Sequence, residues 1–258
     1  MKRVLATLSY DGAQFHGYQR QLRDRSVQGE VERALAKIHK ANSWPSTSSG
    51  RTDAGVHGIS QPVHFDTTLA IPEDRWAKAL NSLLPDDIHV HSCHYVPESF
   101  HARYDTVGKE YVYRLSTSSE RDVFTRNYVY HLPKKLDQTK MQQAAEYLIG
   151  TNNYTSFSSP KTDVVDKVRT IYTIDIQQDG DEWTFRFIGS GFLYQMVRVL
   201  TGTLIETGLG ERNPDDMVAI MQGKNRALAG KTAPACGLYL SQVFYEAKKL
   251  DDYLKKFQ

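Results

Sequence analysis

Apolar and polar residues alternate near the start of the chain. Val4, Ala6 and Leu8 are interleaved with Arg3, Thr7 and Ser9, the period-two pattern of a half-buried strand over residues 3 to 10, with Leu5 as a break in it. The stretch YDGAQFHGYQRQLRDR that follows has no period and is rich in Gly, Arg and Gln, so it reads as a loop. From Ser26, a helix N-cap, the spacing changes: Val27, Val31, Ala34, Leu35 and Ile38 share one helical face. Pro72 opens a second helix, with Glu73 and Asp74 in the first turn and Trp76, Leu80, Leu83 and Leu84 as its apolar residues. Residues 87 to 96 return to strand spacing. The second half repeats this grammar. GKEYVYRLST (108–117) is a strand, and LDQTKMQQAAEYLIG (136–150) is a helix capped by Asp137 and stopped by Gly150. IYTIDIQQDGDEWTFRFIG (171–189) is a hairpin around Asp179-Gly180. GFLYQMVRVLTGTLIETG (191–208) is a helix with Phe192, Met196, Val199, Leu200 and Leu204 turned inward, and NPDDMVAIMQG (213–223) is a compact helix with Asn213 as cap and Pro214 at its first position. Strands and helices mix without strict βαβ alternation. The expected class is therefore α+β with a largely antiparallel sheet, in two related halves, 1–104 and 105–258.

A chain of 258 residues, 40% apolar and 24% charged, has the balance of a globular protein with ample core. No stretch is long and apolar enough to span a bilayer, and MKRVLATLSYDG reads as a first strand rather than a signal peptide. Cys93 and Cys236 are too few for a disulfide framework and are expected as reduced thiols in the cytoplasm. The net charge of +2 marks no strongly basic protein, so only local clusters count. Arg20, Arg23 and Arg25 share one loop, Lys134 and Lys135 are adjacent, and Lys224, Arg226 and Lys231 share another segment. These are either a solvated surface or phosphate contacts along a nucleic-acid track, and charge alone does not choose.

The candidate chemistry centres on GRTDAGVHG (50–58). Gly50, Gly55 and Gly58 mark a tight loop that lifts Asp53 from the scaffold, with Arg51 close enough in sequence to keep the carboxylate ionised. Such an Asp can act as nucleophile, base or metal ligand. DIHVHSCH invites a zinc reading: His89, His91 and Cys93 would share one face of a strand and His94 the other. With no second ligand cluster of familiar spacing, these read as strand residues and no metal is expected. Arg198 stands among apolar residues, four positions after Tyr194 on the same helical face. It either snorkels to water or is a buried cation in need of a carboxylate, for which Asp53 is a suitable partner. Tyr111 and Tyr113 face one side of their strand. They are either core or a stacking surface for bases, and Phe15, His16 and Tyr18 put further aromatics beside the Arg cluster.

Five segments in order carry a family resemblance: YDGAQFHGYQ (10–19), GRTDAGVHG (50–58), FHARYDTVGKEYVYRL (100–115), GFLYQMVRVLTG (191–202) and TAPACGLYL (232–240). Over nearly its whole length the chain resembles the bacterial tRNA pseudouridine synthase A family. The resemblance implies isomerisation of uridine to pseudouridine at positions 38, 39 and 40 of the tRNA anticodon stem-loop, with no metal or organic cofactor. It also implies a homodimer, and two related RRM-like halves forming an extended, mostly antiparallel sheet flanked by helices, with a catalytic cleft between them. Carried over by motif, Asp53 is the catalytic aspartate, Tyr111 the tyrosine that packs on the target uracil, and Arg198 the arginine paired with the carboxylate. Arg51 is the arginine implicated in turning the nucleotide out, and Leu238 lies in the segment lining the base pocket. The chain departs from the family pattern at Ser48, Gly58, Gln195 and Ala235-Cys236, which touches the pocket lining and some RNA contacts but not Asp53, Tyr111 or Arg198.

The reaction exchanges a C–N for a C–C glycosidic bond with no net redox change or hydrolysis, so a nucleophile or base at the sugar–base junction suffices. Asp53 attack on C6 of the base, attack on C1′, and removal of a ribose proton all fit. Two other functions are weighed. An RNA-binding module without catalysis accounts for the aromatics but not for a Gly-flanked Asp beside Arg51. A glycoside hydrolase requires a second carboxylate that no motif supplies.

Overall fold

The computed structural model describes residues 1–162 and 164–257. The backbone divides into two compact units, Met1–Val107 with Tyr239–Glu246, and Gly108–Leu238 with the C-terminal segment from Ala247. Each is a mostly antiparallel sheet with helices packed on it, the α+β class expected.

In the first unit, β1 (Lys2–Tyr10) lies between β4 (Ile88–Val96) and β3 (His57–Thr67), antiparallel to both. Short β2 (Thr47–Ser48) and β10 (Leu238–Phe244) also pair with β3, β10 in parallel through Tyr239 and Leu240. Alternation in β1 sends Val4, Ala6, Leu8 and Tyr10 to the core, with Leu5 only partly covered. Helices α1 (Val27–Ile38) and α2 (Glu73–Asn81) close over them, so that Val27, Val31, Leu35, Trp76 and Leu80 join Val63, Phe65, Ile88 and Val90 in one cluster. Ser26 caps α1 as expected, its hydroxyl accepting from the Gly29 N–H at 3.3 Å.

Strand β3 was not legible from periodicity. It is buried on nearly every residue, including the polar Gln61 and His64, and Pro62 argues against a paired strand. Pro62 is tolerated because β2 pairs only with Val63 and His64, and the Pro62 carbonyl still accepts from the Ser49 N–H at 2.9 Å.

The second unit has the strand order β5 (Gly108–Ser116), β9 (Glu182–Gly189), β8 (Val168–Asp179), β7 (Gly150–Asn153), all antiparallel, with β6 (Tyr130–His131) parallel to β5. The β8–β9 hairpin forms where expected, but Asp179 pairs with Glu182, so its two-residue loop is Gly180-Asp181, with Gly180 first at φ 59°. Helix α3 (Gln138–Glu146), capped by Asp137, packs on β8, and α4 (Met196–Gly208) packs on α3. The core end of α4 is closed to water on nearly all sides, and Thr201, Thr203 and Thr207 satisfy their buried hydroxyls on carbonyls four residues back. Helices α5 (Asp216–Gly223) and α6 (Ala247–Leu254) complete the unit; α6 lies outside every motif and is not expected from the sequence.

Two expectations fail for local backbone reasons. The helix read from residue 191 begins only at Met196, because Gln195 takes a left-handed φ of 61°. Tyr194 therefore does not share a helical face with Arg198, and Phe192 is not an inward helical residue. In β4, the pairing with β1 slips between Ser92 and Val90, opposite Thr7 and Leu8. This bulge turns Cys93 onto the core face with Val90, while His89, His91 and His94 are exposed. The shared face expected of His89, His91 and Cys93 does not exist. Burial pushes the Cys93 thiol up to about 12.

Candidate active site

The loop carrying Asp53 is held by the earlier motif, YDGAQFHGYQ. The Tyr18 N–H donates to the Thr52 carbonyl at 3.0 Å and the Gly55 N–H to the Phe15 carbonyl at 3.2 Å. Between these anchors the Val56 N–H reaches the Asp53 carbonyl at 3.1 Å, closing a four-residue turn whose third position, Gly55, has φ 76°. Two glycines allow the approach. A Cβ on Gly12 would stand 2.0 Å from the Val56 carbonyl oxygen, and one on Gly17 would stand 2.8 Å from that of Thr52. The buried Tyr10 hydroxyl and Thr52 Oγ1 are hydrogen-bonded at 2.8 Å, and the Gly12 N–H donates to His57 Nδ1 at 3.0 Å. The His57 ring stacks on Tyr239 with centroids 4.7 Å apart. Gly58 lets the Tyr10 ring lie close against the backbone, since a Cβ would meet the ring at 2.3 Å. Ser48 donates to the Gly50 carbonyl at 2.9 Å, bracing the loop's entry. Asp53 emerges half-buried on a fixed turn, and Arg51, two residues earlier, is exposed.

The arginine loop leads out of the same segment. Arg20 and Arg23 are exposed, and Arg20 lies 3.3 Å from Glu32. Arg25 is bound in place. Its guanidinium makes paired contacts to Asp87 at 2.6 and 2.9 Å, a third to Glu30 at 3.3 Å, and covers the Phe15 ring at 4.2 Å. These carboxylates, Asp87 foremost, raise its pKa.

In the second unit, Tyr111 is buried on β5 with its ring edge-on to Phe192, centroids 5.3 Å apart. Arg198 lies in the first turn of α4 and is half-buried. Its Nε donates to the Ala233 carbonyl at 2.8 Å, and the Ala233 N–H returns a bond to the Arg198 carbonyl at 3.0 Å. The segment 230–238 runs across α4 at Gly202, where a Cβ would stand 1.8 Å from the Lys231 carbonyl oxygen. Gly230 and Lys231 donate to Thr203 and Glu206, each at 2.9 Å. Ala235–Gly237 form one 3-10 turn, which delivers Leu238, only 5% exposed, to the start of β10. Beneath the turn lies Tyr113, fully buried, its hydroxyl donating to the Pro234 carbonyl at 2.9 Å and its pKa raised by burial. Cys236, one of the departures, sits with Sγ 3.9 Å from the Val129 carbonyl, and burial raises its thiol pKa.

The structure thus joins Arg51 and Asp53 on one turn, beside the loop of Arg20, Arg23 and Arg25. It joins Arg198 and Leu238 through the segment 230–238, and sets Tyr111 on β5 against Phe192. The supporting residues were not singled out from sequence: Tyr10, Gly12, Gly17 and Thr52 around the Asp53 turn, and Gly202, Thr203, Glu206 and Ala233 around Arg198. The signal available for them was glycine within a motif, which here marks backbone passing against backbone. Among the described residues no group of three or more His, Cys, Asp or Glu could hold a metal ion, and no helix is long and apolar enough to cross a membrane.

Comparison with known proteins gives one answer. The family model described as tRNA pseudouridine synthase matches residues 6–105 and 144–246. Similar proteins include the tRNA pseudouridine synthase A of Anoxybacillus flavithermus, 52% identical over 95% of this chain and 100% of the relative. Those of Bacillus pumilus and Bacillus subtilis are 53% and 49% identical, each over 95% of this chain and 99% of the relative.

Proposed function

Since the chain belongs to the tRNA pseudouridine synthase family, and is therefore an isomerase acting on tRNA, we propose that its target uridines are those at positions 38, 39 and 40 of the anticodon stem-loop. Asp53 acts as nucleophile or base, and no cofactor takes part. The observation that carries this reading is the anchoring of the Asp53 turn. A half-buried carboxylate on a backbone clamped by Gly12, Gly17 and Tyr18 is presented to a substrate with little freedom left to lose.

The reaction needs the uridine out of its stack, at a cost of a few kcal/mol. Tyr111 returns part of this by packing on the extruded base, worth about 1–3 kcal/mol in comparable sites. Arg198 is the cation that partners the catalytic carboxylate and keeps it ionised, and Leu238 lines the pocket that retains the detached uracil. Arg51 assists in turning the nucleotide out. Arg20 and Arg23 hold phosphates and set the register of the stem, and Arg25 contributes least because Asp87 and Glu30 already neutralise it. Attack on C6, attack on C1′ and abstraction of a ribose proton are all open to a carboxylate held this way. The enzyme works as a homodimer in the cytoplasm.

The test is incubation with an unmodified tRNA transcript and position-by-position mapping of pseudouridine. Modification confined to positions 38 to 40, abolished in Asp53→Asn while tRNA binding stays within about threefold of wild type, supports the reading. Modification elsewhere, or product from the Asn variant at the wild-type rate, overturns it.

A further inference from the structure

We infer that Tyr113 is a positioning residue for the isomerisation, setting Arg198 and Leu238 through a single buried hydroxyl. The inference rests on the reading of Tyr111, Arg198 and Leu238 as site residues and adds a group that touches no substrate.

The geometry converges on one short piece of backbone. Arg198 Nε is tied to the carbonyl of Ala233, and the Tyr113 hydroxyl to the carbonyl of the next residue, Pro234. Two consecutive carbonyls are thus gripped from different elements, α4 on one side and β5 on the other. The chain then folds over the Tyr113 ring. A Cβ on Gly237 would stand 2.8 Å from Tyr113 Cζ and 2.5 Å from the Arg114 carbonyl oxygen, so residues 234 to 237 lie directly on the ring. Leu238 follows this contact immediately. Upstream, Gly230 and Lys231 are held by Thr203 and Glu206, and Glu206 is braced in turn by Arg212 at 2.6 Å. The segment is therefore fixed at its α4 end by polar side chains and at its β5 end by Tyr113.

An arginine has several rotatable bonds, and its guanidinium is directed by what its nitrogens bind. With Nε held by Ala233, the orientation of the terminal nitrogens follows the position of that carbonyl. Moving Pro234 moves Ala233, and the guanidinium with it. Since Tyr111 is two residues from Tyr113 on the same strand face, one strand carries both the base-stacking ring and the ring that sets its neighbours. A Phe at 113 would fill the core equally well. The hydroxyl is the part that packing does not require.

The experiment is steady-state kinetics of Tyr113→Phe on an unmodified tRNA transcript, with tRNA affinity and thermal midpoint measured on the same preparation. A fall in kcat of about 10- to 100-fold is expected, the scale of a small misplacement of a reacting group. KM and tRNA affinity should stay within about twofold of wild type. Because the variant deletes one oxygen and keeps the ring, the fold should persist. A double-mutant cycle with Arg198→Lys supplies the readout that a purely structural role would not move. If Tyr113 acts through Arg198, the double variant is no slower than Arg198→Lys alone. Wild-type kcat in Tyr113→Phe, or losses that multiply in the double variant, overturns the inference. Asp53→Asn run in parallel separates the two claims. If that variant is inactive while Tyr113→Phe is unimpaired, only the positioning role fails; if Asp53→Asn turns over, the reading of the site itself fails.

Discussion

The turn that presents Asp53 and the segment that orients Arg198 are held in different ways. Around Asp53 the contacts are largely backbone on backbone: Tyr18 to Thr52, Gly55 to Phe15, and glycines at 12 and 17 where any side chain would intrude. Around Arg198 the backbone of 230–238 is held mainly by side chains, namely Thr203, Glu206, Arg198 itself and Tyr113. The first arrangement cannot be adjusted without moving a whole strand-to-loop junction. The second can be loosened one hydrogen bond at a time. On the proposed reading, the carboxylate and its cation are thus held by supports that fail differently, the first as a whole and the second one bond at a time.

Glycine substitution should break the backbone-held region most severely. Gly12→Ala places a methyl 2.0 Å from the Val56 carbonyl oxygen, with no flexible side chain to give way. A loss on the order of 3 kcal/mol in urea unfolding, together with loss of turnover, is expected. A stable, active Gly12→Ala protein would show that the loop is not clamped as described.

Next in size is a pH effect confined to the first unit. Burial holds the His64 imidazole down to about 4, against an ordinary 6.5, with Arg3 and His101 adding to the depression. The folded state therefore binds this proton less readily than the unfolded chain. The associated stability is present in full above pH 6.5 and is lost as pH falls towards 4. At about 1.4 kcal/mol per pKa unit, the loss approaches 3 kcal/mol at the acid end. Nδ1 of His64 also accepts the Ala102 N–H at 3.1 Å, so protonation breaks a buried bond. Urea unfolding between pH 7 and pH 4 should show the slope, and His64→Gln should flatten it.

Smaller effects sharpen the contrast. Tyr10→Phe leaves Thr52 Oγ1 without its buried partner, and Thr203→Val removes the acceptor of the Gly230 N–H. Each should cost about 1 kcal/mol of stability. They should differ in kinetics: Thr203→Val is expected to lower kcat several-fold through the Arg198 segment. Tyr10→Phe should alter it less, because backbone bonds still hold the Asp53 turn. Equal kinetic penalties would erase the distinction between the two regions.

Much of the architecture was legible because its signals are local. Ser26 and Asp137 cap their helices, and a hairpin closes one residue beyond the expected turn, at Gly180-Asp181. The alternation of β1 points its apolar residues to the core. What escaped had no local signal. Strand β3 is covered on both faces, so its polar residues are buried with the rest and no alternation survives. The bulge in β4 reverses the exposure of Cys93 by one inserted residue, a matter of pairing with β1 rather than of composition. The left-handed turn at Gln195 shortens α4, although nothing in GFLYQMV forbids a helix there.

The site divides along the same line. The sequence by itself determined the chemistry on offer: a carboxylate in a glycine-rich turn, an arginine beside it, an aromatic strand and a family pattern in five segments. These are properties of residue type and spacing. Only the tertiary structure decided which side chains hold those groups still. Gly12 meeting Val56, Gly202 meeting Lys231 and Tyr113 meeting Pro234 are contacts between residues far apart in the chain. Such contacts depend on how closely two backbones can approach, and that distance is set by packing of the whole unit, not by any local preference.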